Sequence, residues 1–137
     1  MDWKLELIVV PVSDVDRSKA FYIDQAGFNL EVDHRAGDTF RVVQLTPPGS
    51  ACSIAIGTGI GSTPPGSVKG LHLIVEDIDA ARAELVARGT EVSELFHFGA
   101  EGRADGPHPE RESYGTFCSF DDPDENAWLV QEVKRAG

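Results

Sequence analysis

Apolar residues come along this chain in short runs, and the spacing of polar residues between them separates strands from helices. Leu5 to Val12 is an isoleucine- and valine-rich run of strand character, closed by Ser13-Asp14. Ser13 or Asp14 is a good N-cap, with Asp16 placed as in a capping box. The helix they open turns Phe21 and Tyr22 toward a sheet and ends near Gly27. Phe28 to Asp33 and Phe40 to Leu45 are two further strands around the hairpin signal Ala36-Gly37-Asp38. Pro47-Pro48-Gly49 breaks the chain before a last strand, Ala51 to Ile56, which completes a β-α-β-β-β unit.

The plan then repeats. Val12-Ser13-Asp14-Val15-Asp16 returns as Val75-Glu76-Asp77-Ile78-Asp79, again between an apolar run (Leu71 to Val75) and a helix. In that helix Ile78, Ala81 and Leu85 share one face, and Gly89 ends it. Val92 to Phe98, Tyr114 to Phe120 and Ala127 to Val133 complete the second unit. Gly57 to Ser67, rich in Gly, Ser, Thr and Pro, is the linker, and its glycine run lacks the following helix of a phosphate loop. The segment Gly99 to Ser113, with no counterpart in the first copy, is expected to be irregular and mobile. The expected fold is α+β, one domain over 1–137. Its first module covers about 4–57, the linker 57–67 and the second module about 68–134.

Two βαβββ modules with V-x-D-[VI]-D at each strand-to-helix turn resemble the vicinal oxygen chelate superfamily. That superfamily includes glyoxalase I, bleomycin-resistance proteins, fosfomycin-resistance enzymes and extradiol dioxygenases. Phe120-Asp121-Asp122-Pro123-Asp124-Glu125-Asn126-Ala127-Trp128 resembles the family's closing turn, with Glu125 where a glycine is usual. The resemblance implies cupped half-barrel sheets around a shared pocket, often with a divalent metal bound by His, Gln or Glu. Its four ligand positions fall here on Leu7, Ser53, Gly70 and Leu129, and a register shift of two residues would recover His72 alone. Carbon side chains and a lone serine do not hold a divalent ion, so neither metal nor other cofactor is expected.

Strand side chains alternate between faces. Residues sharing parity with the ligand positions would line the pocket: Leu7, Val9 and Pro11; Ala51, Ser53 and Ala55; Gly70, His72 and Ile74; Ala127, Leu129 and Gln131. The opposite parity (Ile8, Val10, Ile54, Ile56, Leu71, Leu73, Trp128, Val130) is uniformly bulky and belongs under the helices. Within this set His72 is a candidate general base, its bland alternative being a half-buried histidine bonded to a neighbouring strand. Gln44 and Tyr114 are candidate ligand contacts, Asp33, His34 and Arg35 candidate rim residues, and one face of Phe96-His97-Phe98 a candidate pocket wall.

Charge narrows the partners. Twelve basic against 23 acidic residues give a net charge of −11, which argues against nucleic acid and anionic membranes and mildly favours a cationic ligand. Two cysteines within apolar alternations, and no apolar run of membrane length, point to a reduced cytoplasmic protein. The reading is a metal-free protein, homodimeric as relatives of this kind commonly are. It binds a small organic compound, cationic or aromatic, at Leu7, Val9, Gln44, Ser53, His72, Tyr114 and Leu129. The alternative is a metal-independent lyase, isomerase or cyclase with His72 as base.

Overall fold

The computed structural model describes residues 1–134, and they fall into two compact units. The first comprises Met1–Val68 with Asp122–Asn126. Its strands are β1 (Leu7–Val9), β2 (Asn29–Ala36), β3 (Phe40–Thr46) and β4 (Ser53–Thr58), in the order β1-β4-β3-β2. β1 runs parallel to β4 and the other pairs are antiparallel. Helix α1 (Val15–Ala20) is capped by Asp14, whose carboxylate accepts the Arg17 amide at 3.1 Å. A π-helical turn, Phe21–Gln25, extends it, and Gly27 (φ 77°) turns the chain back into β2. The core of the unit is Val10, Tyr22, Phe28, Val43, Leu45, Ile54 and Ile56, all under one-tenth exposed.

Asp122–Asn126 belongs to this first unit although it joins two strands of the second. The buried Asp122 carboxylate accepts the Tyr22 hydroxyl, the Asn126 side-chain amide and the Asp124 and Asn126 main-chain amides, all at 2.8–2.9 Å. Asn126 in turn donates to the Pro11 carbonyl at 2.8 Å and accepts the Val68 amide at 3.1 Å. Glu125 sits at φ 69°, in the left-handed region, which explains why glycine suits this turn.

The second unit comprises Lys69–Asp121 and the chain from Ala127 onward. It holds β5 (Leu71–Val75), α2 (Ile78–Ala87), β6 (Phe96–Gly99), β7 (Gly102–Asp105), β8 (Phe117–Asp121) and β9 (Ala127–Glu132). The sheet order is β5-β9-β8-β6-β7, with β5 parallel to β9. Asp77 caps α2 as Asp14 caps α1, accepting the Ala80 amide at 3.0 Å. Ile78, Phe96, Cys118, Phe120, Trp128 and Val130 are buried, and burial pushes the Cys118 thiol up to about 11.

One expectation fails here. The segment read as an irregular loop contains β7, because Gly99 pairs with Gly102 around a two-residue turn and continues β6 into a hairpin. Gly102, at φ 100°, takes a conformation closed to other residues, so what read as flexibility is turn chemistry. Several predicted strands are also shorter than expected, β1 most of all, at Leu7–Val9 in place of Leu5 to Val12. β6 starts only at Phe96, although the Ser93 amide donates to the Ser119 carbonyl at 2.9 Å, because the Ser93 carbonyl is taken by Arg82 and the Ser119 amide by the Ser93 hydroxyl; β8 starts only at Phe117.

Candidate ligand-binding surface

In the second unit the pairing register sorts side chains onto two faces. Leu71, Leu73, Val75, Trp128, Val130, Cys118 and Phe120 share the face that packs with α2. His72, Ile74, Leu129, Gln131, Phe117, Phe96 and Phe98 share the other. On that second face Ile74 is 45% and Phe98 57% exposed, although both are apolar. Phe98 meets the Phe117 ring edge-on at 5.3 Å between centroids, Phe96 stacks on Phe117 at 5.6 Å, and the exposed His72 ring stands edge-on to Phe117 at 6.4 Å. The Arg103 guanidinium covers the outer side of Phe96 at 3.6 Å.

The His72 Nδ1 lies 2.7 Å from the Gly70 carbonyl. A carbonyl only accepts, so Nδ1 is the donor, and in the neutral ring the lone pair lies on Nε2. Among the described residues no carboxylate, amide or hydroxyl side chain hydrogen-bonds this ring. Leu129 is the cross-strand partner of His72. Gly70, at φ 80°, instead lies level with Ala127, whose carbonyl accepts its amide at 3.0 Å. Tyr114 precedes β8 at φ 71°, 56% exposed, and its carbonyl accepts the Gln131 amide at 3.0 Å.

The corresponding face of the first unit mixes aliphatic and polar side chains. Leu7 and Val9 are exposed on β1 and pair with Ser53 and Ala55. Ser53 is buried, and its hydroxyl is 2.7 Å from that of Thr46. Gln44 is half-buried, between Ala55 and Val32 across the sheet. Asp33, expected at a pocket rim, instead shares the Arg41 face. Arg41 donates to it at 3.0 and 2.9 Å and to Asp16 at 2.7 Å, and Lys19 adds a bond at 2.8 Å. The Arg41 and Lys19 bonds hold the Asp33 carboxyl far below the ordinary carboxylate range.

A parallel arrangement closes the start of α2. Asp77, Asp79 and Glu132 bring carboxylate oxygens within 4.8 Å of one another. Arg111 is bonded to Asp79 and stands 3.6 Å from Glu132, while the Ile78 amide donates to Glu132 at 3.1 Å. The guanidinium already supplies the positive charge that such a cluster attracts.

Residues 4–130 match the pattern of the Glyoxalase/Bleomycin resistance protein/Dioxygenase superfamily. The chain belongs to that family. Among solved members of similar fold is TnmS3, an antibiotic binding protein from Streptomyces sp. CB03234. It is 32% identical, with 97% of this chain and 98% of that one covered at a TM-score of 0.74. A glyoxalase/bleomycin resistance protein from the same Streptomyces is 33% identical, with 94% and 100% covered at a TM-score of 0.71. The uncharacterized protein YetH of Bacillus subtilis (strain 168) is 25% identical over 132 residues, 91% of this chain and 94% of its own.

At the positions where metal-dependent members of the superfamily are expected to carry ligands, the donor set does not fit a divalent ion. Leu7 and Leu129 offer carbon, the Ser53 hydroxyl is engaged by Thr46, and the register contributes one imidazole, His72, in place of Gly70. Phe117 and Arg103 were not foreseen as surface residues. The alternation Phe96-x-Phe98 was their nearest signal, because it marks the strand against which both pack.

Proposed function

We propose that this chain captures a small organic molecule of aromatic or cationic character and holds it without a metal ion. The ligand lies against the open face of β5, β9, β8 and β6, and the protein works in the cytoplasm as a homodimer with both modules acting as one domain. The observation that carries this reading is Phe98, 57% exposed beside Phe117, whose ring His72 also meets. Aromatic rings left in water on an ordered sheet stack readily on a planar ligand, with a few polar groups to orient it. The net charge of −11 favours a cationic partner over an anionic one. Similarity to an antibiotic binding protein over nearly the whole chain supports the class of ligand.

The test is equilibrium dialysis against a panel of polycyclic aromatic antibiotics, followed by mass spectrometry of the recovered compound. One intact equivalent per chain is expected, lost in Phe98→Ala. Binding that Phe98→Ala leaves untouched would place the ligand elsewhere. Elemental analysis of protein purified without chelator should find no stoichiometric zinc, nickel, iron or manganese.

A second reading, a metal-independent lyase, isomerase or cyclase, is favoured by the exposed His72 Nε2 and its lone pair. Recovery of an altered compound, abolished by His72→Ala, would establish it over capture.

A further inference from the structure

β7 brings a guanidinium onto the aromatic face. Phe98 and Arg103 are cross-strand partners in the β6-β7 hairpin, so Arg103 takes the same side as Phe96, Phe98 and Phe117. Its central guanidinium carbon lies 3.6 Å from the centre of the Phe96 ring. At that distance the flat of the group meets the ring, since an approach led by an N–H would hold the carbon farther out. The flat side is thus spent on Phe96, while the edge, a rigid fork of N–H donors, stays open.

Among the described residues no carboxylate, hydroxyl or carbonyl accepts a hydrogen bond from the Arg103 side chain. This stands out in a chain with 23 acidic residues to 12 basic ones. Arg17, Arg41, Arg82, Arg88 and Arg111 each hold a carboxylate. Arg35 does not, but no ring lies beneath it. Asp105 shares the aromatic face, across the ladder from Phe96, and is exposed without pairing to Arg103. Cross-strand partners have Cβ atoms about 5 Å apart, so one ring system stacked on Phe98 brings a group on its rim within reach of the Arg103 fork. A carboxylate there offers two coplanar oxygens that match it.

We propose that Arg103 makes this face selective for aromatic acids: the flat ring lies on Phe98, and a carboxylate or ionised phenol on its rim takes the Arg103 N–H groups. This rests on the capture reading above and narrows its ligand from aromatic or cationic compounds to aromatic acids. The net charge of −11 opposes such a ligand only weakly, because exposed charges beyond about 8 Å are screened at physiological salt whereas Arg103 acts in contact.

Fluorescence anisotropy of three probes with the full chain at physiological salt tests this. Pyrenecarboxylate, pyrenemethanol and pyrenemethylammonium share one ring system and differ in the charge on its rim. The carboxylate should bind roughly tenfold tighter than the alcohol, and the ammonium weakest of the three. Arg103→Gln should bring the carboxylate down to the alcohol and leave the alcohol within about threefold of its wild-type affinity. Arg103→Lys keeps the charge without the fork and should retain only part of the preference. Phe98→Ala should weaken all three probes alike. Arg103 and Phe98 are both exposed, so circular dichroism should stay unchanged in every variant. Probes that bind and are lost in Phe98→Ala, yet show no preference for the carboxylate, overturn the selectivity and leave capture standing. A preference that survives Arg103→Gln also overturns it, by giving the acid to another group. Probes that do not bind, or that ignore Phe98→Ala, overturn capture on this face and the selectivity with it.

Discussion

The two units solve the same local problem with different parts. Each opens its helix with V-x-D-x-D, and in each the second aspartate, Asp16 or Asp79, is gripped by an arginine. In the first unit that arginine is Arg41, 9% exposed at the side chain, rising from the start of β3 and shared with Asp33. In the second it is Arg111, 33% exposed, reaching in from a loop at φ 51° and shared with the buried Glu132. A strand-borne clamp is part of the sheet, whereas a loop-borne clamp depends on the loop's own fold. The open faces differ as well. That of the first unit sets Leu7 and Val9 beside the polar Ser53 and Gln44, and that of the second carries an aromatic cluster suited to stacking.

The contrast between the clamps should appear most strongly in stability. Arg41→Ala is expected to cost about 2–4 kcal/mol, because it strips Asp33 of two bonds and opens a buried site. Arg111→Ala should cost about 1–2 kcal/mol, since Glu132 keeps the Ile78 amide. Urea titrations of both variants check the order, and an equal or reversed cost would show that the loop-borne clamp is the stronger.

The contrast between faces should appear in binding. Phe98→Ala should weaken the ligand by about tenfold or more, while Val9→Ala on the face of the first unit changes it by less than about threefold. Both are surface substitutions that should move stability by less than about 0.5 kcal/mol, which dialysis and thermal melts together resolve.

Acid should act on the first clamp. Asp33 has its folded-state carboxyl lowered by Arg41 and then Lys19, so its stabilising contribution is complete above its unfolded value of about 3.9. That contribution is lost as pH falls below about 4, toward the lower folded value. Asp33→Asn should flatten this part of the stability profile, and an unchanged acid limb would mean that other carboxylates carry it.

The smallest effect is expected at the closing turn. Glu125→Gly should stabilise the protein by about 0.5–1 kcal/mol by relieving the left-handed conformation of a residue with a Cβ. A loss of stability on calorimetry would show that the glutamate side chain outweighs that strain.

Local pattern in the amino-acid sequence was enough to place both modules, the Asp77 cap and the face of each central strand, while the first cap stayed open between Ser13 and Asp14 until the structure gave it to Asp14. Hydrophobic alternation has a period of two and reports which side a residue takes. It put His72 and Ile74 opposite Leu71 and Leu73 for that reason. A slip of two residues preserves every face, so alternation is blind to it. Only the folded ladder, with Gly70 level with Ala127, set His72 rather than Gly70 beside Leu129. Composition was blind in a similar way to the stretch after Phe98, where glycines read as disorder close a hairpin and bring Arg103 over Phe96. Asp33 likewise carries nothing in its neighbours to reveal Arg41, eight residues away along the chain. Local pattern determines element and face because both arise from interactions between near neighbours in the chain. Register, ion-pair partners and the aromatic cluster depend on which distant strands meet, and only the tertiary structure decides that.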